Sequence, residues 1–76
     1  MTPITPQDLN AEASVLGAIL VENESISRVT EILQPADFYR ETHAKILRAM
    51  IDLADRREPI DLITLTDCLR SRGDLG

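Results

Sequence analysis

Apolar positions along the chain recur at helical spacing in four blocks, each closed by a polar or proline break. Val15, Leu16, Ile19 and Leu20 form the first stripe and predict a helix from about Ala11 to Val21, capped by Asn10, with Pro6 outside it. Glu22-Asn23-Glu24 is a polar break. Ile26, Val29, Ile32 and Leu33 predict a second helix that begins near Glu24 or Ser25 and stops before Pro35. The third block is the clearest. It runs from about Thr42 to Arg56 with Ile46, Leu47, Met50, Leu53 and Ala54 inward, and with Glu41/Lys45, Arg48/Asp52 and Asp52/Arg56 at i,i+4 on a solvated outer face. A fourth helix is expected from about Leu62 to Ser71, with Leu62, Leu65 and Leu69 inward and Gly73 at its left-handed end.

Three residues stand out as structural. Gly17 costs about 1 kcal/mol relative to alanine inside a helix, which predicts another segment close to the backbone there. Phe38, in the tight turn Pro35-Ala36-Asp37-Phe38-Tyr39, is expected to plug a gap between helices while Tyr39 keeps its hydroxyl in water. Asp61 stands in the N-cap position of the fourth helix, although Thr64 occupies the place where a capping box prefers Glu or Gln. Glu12 falls in the first turn of the first helix, where a carboxylate favours the positive end of that helix's dipole.

Composition supports an all-α fold, a small orthogonal bundle of about four short helices. The chain has one Phe, one Tyr and no Trp, so its core is aliphatic and suited to helix-on-helix packing. At 76 residues it is one domain or part of one, near the length where burial only just offsets chain entropy. Residues 1–10, with Pro3 and Pro6, read as an extended arm and residues 11–76 as a helical head. A net charge of −5 argues against a nonspecific grip on nucleic acid and favours protein partners. No apolar run reaches the ~20 residues that span a bilayer, and the N-terminus lacks a signal-peptide pattern, so a cytoplasmic protein is expected.

The chain carries little that could do chemistry. It has no G-x-x-x-x-G-K-[ST] loop to cradle a triphosphate. His43 is the only histidine and has no nucleophile in a recognisable motif beside it, so it reads as a packed helix residue. Asp61, Asp67 and Asp74 lack calcium-loop spacing, and Cys68 reads as a small apolar core residue. No catalytic, cofactor or metal residue is assigned. A small helix-turn-helix DNA binder is the alternative of a different class, weakened by the acidic balance.

Four ordered segments carry a resemblance: Pro6-Gln7 with Ala11-Glu12 and Ser14-Val15-Leu16-Gly17-Ala18-Ile19-Leu20; Pro35-Ala36-Asp37-Phe38-Tyr39; His43; and Glu58-Pro59-Ile60-Asp61-Leu62 with Thr64-Leu65. Together they resemble the N-terminal domain of DnaB-type replicative DNA helicases over nearly the whole chain. Asn10 replaces a common acidic residue, and Arg57 stands where glycine often ends the third helix. The resemblance implies a helical head that lacks the family's helical hairpin, its linker and its ATP- and Mg-dependent motor domain. It implies a noncatalytic assembly and docking role in DNA replication, in a hexamer collar and in the primosome, with other helicase subunits, primase and in some members a helicase loader as partners. Little DNA binding by this segment and no membrane contact are expected. Without the hairpin, some large aliphatics near the end, Leu69 or Leu75, are expected to be exposed or self-associating, leaving a marginally stable monomer or a weak dimer.

Overall fold

The computed structural model describes residues 9–73, which form four α-helices and one short 3-10 turn: α1 (Leu9–Val21), α2 (Ser25–Ile32), the 3-10 turn (Pro35–Asp37), α3 (Glu41–Asp55) and α4 (Leu62–Arg72). No strand occurs among the described residues. α3 is the spine, and the other three helices and the 3-10 turn all pack against it. Its buried positions Ala44, Leu47, Met50 and Leu53 recur at three-residue steps on one stripe, joined by Ala49. Around them close Leu16 and Ile19 of α1, Ile26 of α2, Leu33, Phe38 and Ile60 from connections, and Leu65, Cys68 and Leu69 of α4. Each buried Leu, Ile, Phe or Met in this set adds roughly 1.5–3 kcal/mol of transfer free energy, which is how so short a chain offsets its ordering entropy.

The predicted elements appear within two residues of their expected bounds, with instructive differences. α1 begins at Leu9, so Asn10 lies inside the helix rather than capping it. Residues 1–8 and Leu75 fall outside the described residues. Leu62 is 70% exposed and Leu69 buried, the reverse of one expectation for each; the α4 stripe turns on Leu65, Cys68 and Leu69 at i, i+3 and i+4. Ala44 and Ala49, too small to stand out in a hydrophobic count, complete the α3 face. Of the three ion pairs expected on α3, only Arg56 to Asp52 closes among the described residues, at 3.4 Å. Half exposed, it adds little to stability.

Helix ends follow the local chemistry. Asp61 Oδ1 accepts from the Thr64 backbone N–H at 2.9 Å, while the Asp61 N–H donates to Thr64 Oγ1 at 3.0 Å. The threonine hydroxyl therefore does the work expected of Glu or Gln in a capping box. At the other end of α4, Gly73 adopts φ +75°, the left-handed conformation predicted for it. α3 ends in the same kind of turn without a glycine. The N–H of Glu58 donates to Leu53 O at 2.9 Å and that of Arg57 to Ala54 O at 3.0 Å, a Schellman pattern that requires Arg57 at φ +59°. The position that departs from the family's glycine is thus one where glycine is sterically preferred.

Candidate interaction surface

Among the described residues Glu12, His43, Asp61 and Cys68 are engaged internally, and the first is Glu12. It lies on the same stripe as Leu16 and Ile19, at i, i+4 and i+7, and is fully buried. Its carboxylate crosses to the start of α3, where no local side chain caps the helix. Glu12 Oε2 accepts from the backbone N–H of Tyr39 and Oε1 from that of Arg40 at 3.4 Å, and His43 Nδ1 stands 2.8 Å from Oε1. Glu12 therefore supplies the negative charge at the N-terminus of α3, not at its own helix as the sequence had indicated. Burial by itself raises its pKa. The hydrogen bonds from His43 and from the two backbone amides outweigh that, and hold the carboxyl below its ordinary range. The geometry calls for a proton on Nδ1 of His43, whose ring also meets Phe38 edge-on at 6.4 Å between centroids. The bonds of the Glu12 carboxylate run to the backbone of Tyr39 and Arg40 and to His43, so it anchors α1 to the start of α3.

A second tie closes the opposite end. Asn23, in the α1–α2 turn, donates its side-chain amide to Ile19 O at 2.8 Å and to Ile60 O at 2.9 Å, and accepts from the Ile60 N–H at 2.8 Å. A turn residue unremarkable in the sequence thereby fixes the loop that precedes Asp61. Cys68 is buried as expected. Burial pushes its thiol up, with Asp52 at 3.6 Å acting in the same direction, so it is held as an unreactive thiol. Gly17 departs from expectation: a Cβ added there would meet nothing within 4 Å, so no segment of the described chain crowds it. Among the described residues no group of His, Cys, Asp or Glu could hold a metal ion.

What remains open is a surface. An apolar groove of about 480 Å³ runs between α1 and α2, lined by Ala11, Ser14 and Val15 on one side and Val29, Ile32 and Leu33 on the other, with Arg28 at its rim. Ile32 is 66% exposed. α1 is apolar nearly all round, because its single charged residue, Glu12, points inward. Exposed apolar faces of this kind mark interaction sites. The signal was present in the sequence as Ile32 lying about 120° around the helix from Ile26, but a helical-period count assigns it to the core.

Residues 4–76 match the family model of the DnaB-like helicase N terminal domain. The chain is 49% identical over 63 residues to the replicative DNA helicase DnaB of Geobacillus stearothermophilus, covering 83% of this chain and 14% of that protein. It is 43% identical over 72 residues to the DnaB of Rhodothermus marinus, covering 95% and 8%. Among solved structures, the N-terminal domain of DnaB helicase from Mycobacterium tuberculosis superposes with a TM-score of 0.85 at 46% identity, covering 92% of this chain and 49% of that one. The chain therefore spans about one seventh of the first of these relatives and half of the solved domain. No described helix is long and apolar enough to cross a membrane. On a family match over nearly its full length, an all-helical fold shared with a solved member and close sequence relatives, the chain belongs to the DnaB-like helicase N-terminal domain family.

Proposed function

We propose that this chain is a noncatalytic assembly and docking domain of a replicative DNA helicase, contributing to the collar of a hexameric ring in the cytoplasm and offering a helical surface to primase or a helicase loader. The observation that carries this reading is the exposed α1–α2 groove on a fold whose buried polar groups are spent on its own backbone. ATP and Mg²⁺ belong, on this reading, to the motor domain of the whole helicase, and unwinding is the motor's work. The net charge of −5 supports contact with protein rather than DNA.

Calorimetric titration of the cognate primase into the chain tests it. The expected result is a saturable heat, with no change in the anisotropy of a labelled DNA duplex at low salt. Salt-sensitive DNA binding with no response to primase would overturn the reading in favour of a helix-turn-helix DNA binder.

A further inference from the structure

His43 carries one ring nitrogen that the fold uses and one that it does not. Nδ1 stands 2.8 Å from Oε1 of Glu12, a carboxylate that is itself fully buried. Nε2 has no hydrogen-bond partner among the described residues. No buried side-chain nitrogen or oxygen there lacks a partner, so Nε2 reaches solvent, on a side chain 16% exposed. With the proton on Nδ1 facing Glu12, the lone pair of the neutral ring lies on Nε2. A buried carboxylate behind an imidazole whose outer nitrogen is free makes an activated nucleophile. The carboxylate fixes the tautomer and stabilises the positive charge that the ring gains when Nε2 attacks.

Charge selects the electrophile. Arg40 is the N-cap of α3, at the end toward which a helical side chain such as that of His43 leans. It is exposed and has no ion-pair partner among the described residues. The nearby carboxylates are turned elsewhere: Asp37 accepts from the Gln34 N–H at 2.8 Å, and Glu41 lies about 200° around α3 from His43. A free cation beside the nucleophile favours an anionic group over a neutral acyl group.

We propose that Nε2 of His43 is a phosphoryl-acceptor site, served by small anionic phosphoryl donors, with Glu12 balancing the ring's charge and Arg40 beside the product. This goes beyond the docking reading and does not depend on it. With phosphoramidate as donor, the Nε2 lone pair forms the new N–P bond and the donor's own P–N bond breaks. The donor nitrogen, already protonated in the zwitterion, leaves as ammonia. No proton has to leave the ring: Nδ1–H stays in place and becomes the imidazolium half of a pair with Glu12.

Incubation of the whole chain with potassium phosphoramidate, followed by mass spectrometry and by phosphorus and nitrogen NMR, tests this. The expected product carries a single phosphoryl group, on Nε2 alone because Glu12 occupies Nδ1. It forms about tenfold faster than on a peptide of residues 40–46, which is too short to hold a helix. Glu12→Gln keeps an acceptor but not the charge and slows the reaction about tenfold, and Arg40→Gln slows it about threefold. His43→Gln takes up none, since it removes the only histidine. Circular dichroism shows which variants are folded. If Glu12→Gln is not, the wild type against the peptide, and the nitrogen that carries phosphorus, decide the matter. Phosphorylation at Nδ1, a rate at or below that of the peptide, or a folded Glu12→Gln as fast as the wild type overturns the proposal and leaves His43 an anchoring residue only.

Discussion

The two ends of the molecule are held by the same device in two different electrical forms. At one end a carboxylate, Glu12, reaches the backbone of Tyr39 and Arg40 and the ring of His43. At the other a neutral amide, Asn23, reaches both backbone groups of Ile60. Both ties join segments distant in sequence, and both satisfy amides that no helix serves. The difference is that an ionised tie is stronger while it lasts and depends on proton activity, whereas a neutral one is weaker and indifferent to it.

The largest expected effect breaks the ionic tie. Glu12→Ala removes a buried carboxylate and strands two backbone amides and an imidazole, costing about 3 kcal/mol and lowering the melting temperature by about 12–24 °C. Differential scanning calorimetry reads this directly. An effect near that of a neutral side chain would erase the distinction between the two ends.

Next comes the contrast in pH. The Glu12 carboxyl titrates below its ordinary range in the folded chain, so its contribution is complete above the ordinary carboxylate pKa and is lost as pH falls through the lowered folded value. Glu12→Gln should flatten this part of the acid limb in urea titrations at successive pH values. Asn23→Ala costs about 2 kcal/mol at neutral pH, and that difference from wild type should persist unchanged in acid.

The smallest expected effect has the opposite sign and concerns the loop that Asn23 holds. Arg57→Gly relieves a left-handed non-glycine residue and should stabilise the fold by about 1 kcal/mol in chemical denaturation. A destabilised variant would mean that the Arg57 side chain matters more than its backbone.

Much of the fold was legible because local rules agreed with one another. The stripe of α3, the proline that opens the 3-10 turn, Asp61 at the cap and Gly73 at the left-handed end are each settled by residues within one or two turns. The two ties were illegible for the opposite reason. Nothing near Glu12 in sequence distinguishes a carboxylate that faces solvent from one that faces the start of α3, except that it shares a stripe with Leu16 and Ile19. Asn23 looks like any turn residue until Ile60 is brought beside it. The groove was only partly legible: Ile32 follows Val29 by three residues, so a period count takes it for core, and its angular offset from Ile26 becomes telling once α1 is in place. Leu62 misled equally, since apolar character at the first turn of α4 says nothing of which way that turn faces.

The Asn23 clasp also leaves a natural probe in the chain. The amide of Ile60 belongs to no helix and donates to one side-chain oxygen, in a residue that is itself almost completely buried. Its hydrogen-exchange lifetime therefore times the opening of one end of the molecule, apart from the fraying of any helix, and turns a single proton into a clock for motions in which the loop before α4 separates from the α1–α2 turn.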